Sequence, residues 1–279
     1  MSNNIVAIMY DFDKTLCTKD MQEYTFIPNL GMSVGDFWSE ANKLREVDKM
    51  DAVLTYMYLM IKKTNDNGHK LTRDYLNQMG KDVQLFPGVK DWFQRINNYG
   101  KEKGIIVEHY IISSGVKEII EGSVIGNEFK EVYASEFYYD EFGNAVWPRI
   151  AINYTNKTQF LKRINKGVLD ISDDYNVNKR MSANDKRIPM RNMIYIGDGL
   201  TDVPCMKLTK DGGGVSIAVY TDKSEDVAKA LFDDNRINYL AEANYEENSK
   251  MDIIVKKTID AMAINNELES FSNTTLLKR

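Results

Sequence analysis

Four short apolar runs are the feature that most constrains the fold of this 279-residue chain. They span Ile5–Tyr10, Ile105–Ile112, Met193–Ile196 and Val215–Val219, and segments with helical periodicity separate them. Strands buried on both faces of a parallel sheet have this continuous hydrophobic character, because helices cover both sides. The runs therefore predict an α/β fold built on a parallel sheet.

Polar clusters follow the first three apolar runs directly. They are Asp11–Asp13, Ser113–Gly115 and Gly197–Gly199. Ligands of open α/β sheets bind at the carboxyl ends of the strands. We therefore expect the three clusters to meet at one edge of the sheet and to form the functional site.

The long segment between the first two runs has the periodicity of amphipathic helices. Hydrophobic residues recur there at helical spacing, for example at Phe37 and Ala41. We predict that residues 18–85 form an inserted α-helical cap. Residues 1–17 and 86–279 then form the α/β core.

Three further segments carry local signals. Val132–Ile152 has aromatic and β-branched residues on both sides of Asp140–Asn144, which predicts a β-hairpin. Ile171–Arg191 is polar, and we expect an exposed loop. Hydrophobic residues at helical spacing from Met251 to Met262 predict a closing amphipathic helix.

The acidic residues at the strand ends suggest chemistry but leave alternatives open. Asp11 and Asp13 lie on one side of the chain if strand geometry continues. Two close carboxylates share a proton, bind a cation, or divide the roles of nucleophile and acid. A solvent-exposed acidic loop is the alternative. Asp198 and Asp202 add two carboxylates that suit Mg²⁺, although a turn or a helix N-cap explains them as well.

Two other groups are suited to holding a phosphate. Ser113–Gly115 offers hydroxyl and N–H donors, and a helix that begins near Val116 adds a field favourable to anions. An N-cap is the simpler explanation of the serines. Lys157 opens a helix whose Phe160 and Leu161 face inward. A phosphoryl site rich in carboxylates needs such a fixed cation, but a lone lysine is usually a solvated surface residue.

The order of these motifs resembles the haloacid dehalogenase superfamily, and its phosphatase branch is the closest match. Asp-x-Asp-x-Thr stands at Asp11–Thr15, the second strand ends at Ser113, Lys157 heads a helix, and Gly-Asp-Gly-x-x-Asp stands at Gly197–Asp202. The helical insert and the hairpin look like the phosphoserine phosphatase-like group of that superfamily.

The resemblance implies a three-layer, Rossmann-like core with a helical cap. It also implies a Mg²⁺-dependent phosphatase that acts on a small phosphorylated metabolite through an aspartyl-phosphate. Asp11 is then the nucleophile and Asp13 the general acid and base. The other implied roles are phosphate binding by Ser113, Ser114, Gly115 and Lys157, metal binding by Asp11, the Asp13 carbonyl, Asp198 and Asp202, and support by Thr15 and Thr201.

Two departures from the phosphoserine phosphatase-like group bear on the substrate. That group commonly has Glu nine residues after the nucleophile, for the substrate amine, where this chain has Asp20. It commonly has Asn before the final acid, where this chain has Thr201. Amino-acid specificity therefore does not follow from the resemblance. We expect selectivity to lie around Asp20, Glu23 and Arg45.

Several other classes of function are poorly supported. His109 lies inside an apolar strand and suits the core, and the chain has no Gly-x-Ser-x-Gly elbow of a serine hydrolase. Cys17 and Cys205 are the only cysteines, which favours packing roles and a reducing cytoplasm. The formal net charge of −5 does not favour a nucleic-acid partner, and no run reaches the roughly 20 apolar residues of a membrane span. A phosphotransferase and a non-catalytic phospholigand-binding protein remain open.

Overall fold

One seven-stranded sheet forms the centre of the protein in this computed structural model, which describes residues 4–182 and 185–276. The strands are β1 (Ile5–Tyr10), β2 (Ile106–Val116), β3 (Glu131–Tyr139), β4 (Ala145–Ile150), β5 (Met193–Gly197), β6 (Val215–Tyr220) and β7 (Tyr239–Glu242). The helices are α1 (Phe26–Asn29), α2 (Val34–Val47), α3 (Ala52–Asp66), α4 (Arg73–Gly80), α5 (Val89–Glu102), α6 (Lys117–Gly122), α7 (Lys157–Lys166), α8 (Asp174–Asn178), α9 (Val203–Asp211), α10 (Glu225–Asp233) and α11 (Lys250–Leu276).

The sheet has the strand order β4-β3-β2-β1-β5-β6-β7, with β1 at its centre. Every neighbouring pair is parallel except β3 and β4, which are antiparallel. The four apolar runs of the sequence form β1, β2, β5 and β6, so the prediction of a parallel sheet is confirmed. The short strand β7 was not predicted, because its four residues are too few to show an apolar run and two of them are exposed.

Helices cover both faces of the sheet. Val6 and Ile8 of β1 belong to one hydrophobic core, which includes side chains of α5 and α11. Ala7 and Met9 point to the opposite face and join a second core, which includes side chains of α7 and α9. This alternation is the period-two geometry of a strand. The prediction of a three-layer α/β core is confirmed.

The helices α1 to α4 lie between β1 and α5, as the helical periodicity predicted. Local hydrogen bonds set where three of them begin: the side chains of Ser33, Asp51 and Thr72 accept bonds from backbone N–H groups in the first turns of α2, α3 and α4. Helix α4 packs against α6, which follows β2. The division of the chain at residues 18 and 85 stays a prediction.

The predicted hairpin is confirmed. Strands β3 and β4 are joined by a turn in which Asp140 Oδ1 accepts hydrogen bonds from the backbone N–H groups of Phe142 and Asn144. The predicted closing helix is also confirmed, as α11. Among the described residues, no helix has both the length and the apolar character needed to cross a membrane.

The segment Ile171–Arg191, as far as the structure describes it, is more ordered than the expected exposed loop. It contains the short helix α8, and the buried guanidinium of Arg163 donates hydrogen bonds to the carbonyls of Asp170, Ile171 and Asp173. The expectation of a loop was wrong at α8, because polar composition does not reveal that the buried Arg163 of the preceding helix α7 donates hydrogen bonds to this segment.

Candidate active site

The strand ends that carry the acidic motifs meet at one edge of the sheet. Tyr10 pairs with Ile196 in the parallel ladder, and the backbone N–H of Asp11 donates to the Ile196 carbonyl at 2.9 Å. The residues that follow β1 and β5 are therefore neighbours. Asp11, Asp198 and Asp202 each offer a carboxylate oxygen, and these three oxygens lie within 4.8 Å of one another.

A tight turn after β1 places the first two acids. The Phe12 carbonyl accepts hydrogen bonds from the N–H groups of Leu16 at 2.9 Å and Cys17 at 3.2 Å. Lys14 adopts a left-handed backbone conformation, with φ of +57°, at the point where the chain reverses. The Phe12 N–H donates to Asp11 Oδ1 at 2.8 Å and fixes that carboxylate.

Lys157 is the central cation of the cluster. Its side chain is fully buried, and Nζ lies 3.1 Å from Asp11 Oδ2 and 2.8 Å from Asp202 Oδ1. The hydroxyl of Tyr195 donates to the same Asp202 oxygen at 2.7 Å. Burial lowers the pKa of Lys157, but the carboxylates of Asp11 and Asp202 outweigh it and hold the pKa above its usual value. The alternative of a solvated surface lysine is therefore wrong.

The buried carboxylates crowd one another, and their pKa values rise. Burial, followed by the charge of Asp202, raises the pKa of Asp11 to about 6. Burial and the charges of Asp202 and Asp11 raise the pKa of Asp198 to about 8. Burial is also the main reason why the pKa of Asp13 lies well above its usual value, with the charges of Asp20 and Asp11 added.

The cluster fits a divalent cation of the Mg²⁺ type. Once Asp11, Asp198 and Asp202 are ionised, Lys157 supplies one positive charge against their three negative charges. Asp202 Oδ2 is buried and has no hydrogen-bond partner, so it is an oxygen with an unused lone pair. Hard cations such as Mg²⁺ prefer oxygen donors of this kind, and the excess of negative charge matches their charge.

Asp13 faces the second strand and the segment that follows the turn. Its Oδ1 accepts a hydrogen bond from the Met21 N–H at 2.9 Å and lies 3.6 Å from Cys17 Sγ. A Cβ atom at Gly115 would lie only 3.0 Å from Asp13 Oδ2, so glycine permits this close approach. One carboxylate oxygen is thus held by the protein, and the other points towards β2.

The serines predicted to bind phosphate lie at the end of β2 but differ from expectation in backbone structure. β2 continues to Val116, beyond the predicted end at Ile112, and its pairing with β3 is irregular there. Ser113 is buried, and its Oγ accepts a hydrogen bond from the Gly115 N–H at 3.0 Å. The Ser114 carbonyl accepts a bond from Tyr56 at 2.5 Å.

The two threonines occupy contrasting positions. Thr15 is fully buried, and its carbonyl accepts a hydrogen bond from the Tyr245 hydroxyl at 2.8 Å. Thr201 is exposed beside the buried Asp202. Sequence reasoning missed Tyr195 and Tyr245, because neither a tyrosine inside an apolar strand nor one in a loop carries a local sign of its hydrogen-bond partner.

The residues expected to select the substrate are already engaged within the protein. Asp20 Oδ2 forms a 2.6 Å ion pair with Lys14 Nζ. Glu23 Oε1 accepts a hydrogen bond from Trp38 at 2.9 Å. Arg45 donates to Asn42 of its own helix, at the surface of α2. Asp20 is therefore the one of the three that lies directly beside the turn after β1.

His109 belongs to the core, as expected. Its Nδ1 lies 3.0 Å from the Tyr10 hydroxyl and its Nε2 lies 3.0 Å from Asn97 Oδ1. A neutral imidazole satisfies both contacts, and burial lowers its pKa to about 3. Cys17 and Cys205 are both buried free thiols, in line with the predicted packing roles.

The sequence of this chain is similar to a known protein family and to another protein of known sequence. A family model described as haloacid dehalogenase-like hydrolase matches residues 8–207. An uncharacterized protein of Borreliella burgdorferi is 28% identical over 275 residues, which cover 89% of this chain and 94% of that protein.

Two solved structures are similar in fold. One is a HAD family hydrolase from Salmonella enterica, with a TM-score of 0.58 and 15% identity, covering 91% of this chain and 70% of that one. The other is a phospho-aspartyl intermediate analogue of phosphoserine phosphatase, with a TM-score of 0.55 and 14% identity, covering 90% of this chain and 98% of that one. At such identities the two similarities show a shared fold.

Proposed function

This chain belongs to the haloacid dehalogenase-like hydrolase family, and we propose that it is a Mg²⁺-dependent phosphatase. Its substrate is a small-molecule phosphomonoester, and the reaction passes through an aspartyl-phosphate. One observation carries the proposal: the buried Lys157 joins Asp11 to Asp202 within a cluster of carboxylates at the end of the central strand. Such a site combines a nucleophile with the fixed positive charge that phosphoryl oxygens require.

Asp11 and Asp13 divide the chemistry in this proposal. An Asp11 oxygen attacks phosphorus while the bond from phosphorus to the leaving-group oxygen breaks, and Asp13 gives its proton to that oxygen. Asp13 then takes a proton from the water that attacks the aspartyl-phosphate. Phosphate leaves, and the Asp11 carboxylate is regenerated.

The different environments of these two acids support the division of roles. The pKa of about 6 leaves most Asp11 ionised at neutral pH, as a nucleophile must be. Burial holds the pKa of Asp13 well above its usual value, which keeps a proton available for the leaving group. Carboxyl groups whose surroundings shift their pKa values are the usual candidates for such roles.

The phosphate and the cation have proposed binding groups in this chain. Lys157 holds the phosphoryl oxygens together with Ser113, Ser114 and Gly115. The groups that would hold Mg²⁺ are the carboxylates of Asp11, Asp198 and Asp202 and the Asp13 carbonyl. The bound cation supplies charge neutralisation and orients the phosphate.

We further propose that residues 18–85 act as a cap that selects a small substrate. The Met21 N–H bonds to Asp13, and the Tyr56 hydroxyl bonds to Ser114, so the helical segment covers the acid and the serines from one side. Such a cover excludes water during formation of the aspartyl-phosphate and obstructs bulky phosphoproteins. Two buried free thiols support a reducing cytoplasm as the compartment.

Phosphate release from a panel of phosphorylated metabolites tests this function. We expect turnover of at least one small phosphomonoester with Mg²⁺ and none after chelation with EDTA. Added alcohol acceptors distinguish hydrolysis from phosphotransfer, because transfer would yield a phosphorylated alcohol. The absence of Mg²⁺-dependent release across the whole panel would favour a phospholigand-binding protein instead.

A further inference from the structure

Tyr245 connects the C-terminal part of the chain to the turn that carries the two acids. It lies beyond residues 8–207, which the family model matches, and its side chain is fully buried. Its hydroxyl donates a hydrogen bond of 2.8 Å to the carbonyl of Thr15. Thr15 stands two residues after Asp13 and four after Asp11.

Several contacts fix Tyr245 itself. Its N–H donates to the Pro87 carbonyl at 2.8 Å, and its own carbonyl accepts a hydrogen bond from Arg95. Its ring packs edge-to-face against Trp92, with 5.2 Å between ring centroids. Gly88 has a left-handed backbone with φ of +78°, and a Cβ atom there would overlap the backbone of Glu246. These contacts therefore fix the position of the Tyr245 hydroxyl.

The hydrogen bonds within the turn do not replace the bond that the Tyr245 hydroxyl donates to the Thr15 carbonyl. Within the turn, the N–H groups of Thr15, Leu16 and Cys17 all converge on the Phe12 carbonyl, and the bond from Thr15 is the longest at 3.3 Å. These bonds fix N–H groups and do not hold the Thr15 carbonyl. A buried carbonyl without a donor is unfavourable, so removal of the tyrosine hydroxyl favours a shifted turn.

We propose that Tyr245 is a positioning residue for the nucleophile and the general acid. It touches no reacting atom. By holding the Thr15 carbonyl, it fixes the turn that sets the relative placement of Asp11 and Asp13. The inference rests on the proposed function, since the two acids matter as a pair only if they act on one substrate.

The test compares Tyr245→Phe with Tyr133→Phe. The control removes a similar contact, because Tyr133 is buried and its hydroxyl donates to the Leu169 carbonyl at 2.9 Å, away from the turn. We expect kcat of Tyr245→Phe with Mg²⁺ to fall about tenfold and KM to change less than about twofold. A tenfold loss is the lower end of the effect of removing a group that orients active-site side chains without touching the substrate. The control should keep both constants while losing similar thermal stability.

A second readout does not depend on activity. Amide hydrogen exchange of the peptide that contains residues 11–17 should become about tenfold faster in Tyr245→Phe and stay unchanged in Tyr133→Phe. Equal kcat values for Tyr245→Phe and the wild type, equal losses in both variants, or unchanged exchange in the turn would overturn the proposal. If the wild type hydrolyses no phosphomonoester, the proposed function fails, and the exchange measurement alone decides whether Tyr245 holds the turn.

Discussion

Lys157 Nζ lies 2.8 Å from Asp202 Oδ1, and both side chains are fully buried. The same nitrogen lies 3.1 Å from Asp11 Oδ2, so a single cation links the proposed nucleophile to the proposed metal-binding acid. An ion pair of this kind is retained only where geometry and further hydrogen bonds compensate for desolvation. The hydroxyl of Tyr195 contributes such a bond to Asp202.

Replacement of this lysine should destabilise the fold as well as the site. In Lys157→Met, Asp11 and Asp202 lose their buried cation, and we expect the free energy of unfolding at pH 7 to fall by about 3–5 kcal/mol. Urea denaturation without added Mg²⁺ measures the change. Lys207→Met is the control, because Lys207 pairs with Asp211 at the exposed surface and should show no measurable loss. Equal stabilities of the two variants would contradict this account.

The acid role assigned to Asp13 depends on the leaving group. In Asp13→Asn, kcat for an alkyl phosphate should fall by about 10²–10⁴-fold, since the alkoxide leaves without a proton donor. p-Nitrophenolate leaves readily without protonation, so the loss of kcat with p-nitrophenyl phosphate should be clearly smaller. Steady-state rates with both substrates test the role. Identical losses would show that Asp13 acts in another way.

The ion pair between Lys14 and Asp20 predicts weak selection for a substrate amine. Asp20 stands where the phosphoserine phosphatase-like group commonly has Glu. Here its carboxylate is already paired with an ammonium, with 2.6 Å between Asp20 Oδ2 and Lys14 Nζ. We expect kcat/KM for phosphoserine and for its analogue without the amine to differ by less than about threefold in the wild type. In Lys14→Met, the freed carboxylate should favour the amine by about tenfold, the worth of one charge-assisted contact.

Lys19→Met is the matched control for that comparison. Lys19 lies in the same segment, but its ammonium packs over the ring of Tyr24 instead of bonding to Asp20. Its replacement should leave the ratio of the two kcat/KM values unchanged. A strong preference for phosphoserine in the wild type, unaffected by Lys14→Met, would refute the inference from the ion pair.

The buried His109 should make stability fall in mild acid. Its pKa is about 3 in the folded protein against about 6.5 in the unfolded chain, so between these values only the unfolded state binds the extra proton. This contribution to the free energy of unfolding is present above pH 6.5 and falls by about 2 kcal/mol from pH 7 to pH 5. His109→Gln lacks this contribution. The difference in free energy of unfolding between the wild type and the variant should therefore shrink by about 2 kcal/mol from pH 7 to pH 5.

His69→Gln provides the comparison, because His69 is the other histidine and is exposed. Chemical denaturation of all three proteins at several pH values measures the effect. A gap between the wild type and His109→Gln that stays constant from pH 7 to pH 5 would show that His109 takes up its proton equally in both states.

Local sequence signals predicted the sheet and the acids but not the contacts that connect them. Apolar runs identify β1 and β5, and the acidic motifs follow them directly, so Asp11 and Asp198 could be placed at one edge. The hairpin was predictable because its turn residues are adjacent in the chain. The catalytic, phosphate-binding and metal-binding roles assigned to the residues of the candidate site stay predictions.

The contacts that sequence reasoning could not find join different elements of the fold. Lys157 has the local sequence of a surface lysine, and only the packing of α7 under the strand ends buries it against Asp11. Tyr195 and Tyr245 likewise act through partners that no local pattern indicates. Helix α8 was missed because its anchor, Arg163, belongs to another helix.

The central claim is that Asp11 is the nucleophile of a Mg²⁺-dependent phosphatase. The most direct measurement is the turnover of p-nitrophenyl phosphate by Asp11→Asn in Mg²⁺, beside Asp226→Asn, which changes an exposed acid of α10. We predict that Asp11→Asn keeps its fold by circular dichroism and shows only background turnover, while Asp226→Asn matches the wild type. Turnover by folded Asp11→Asn near the wild-type rate would contradict the account.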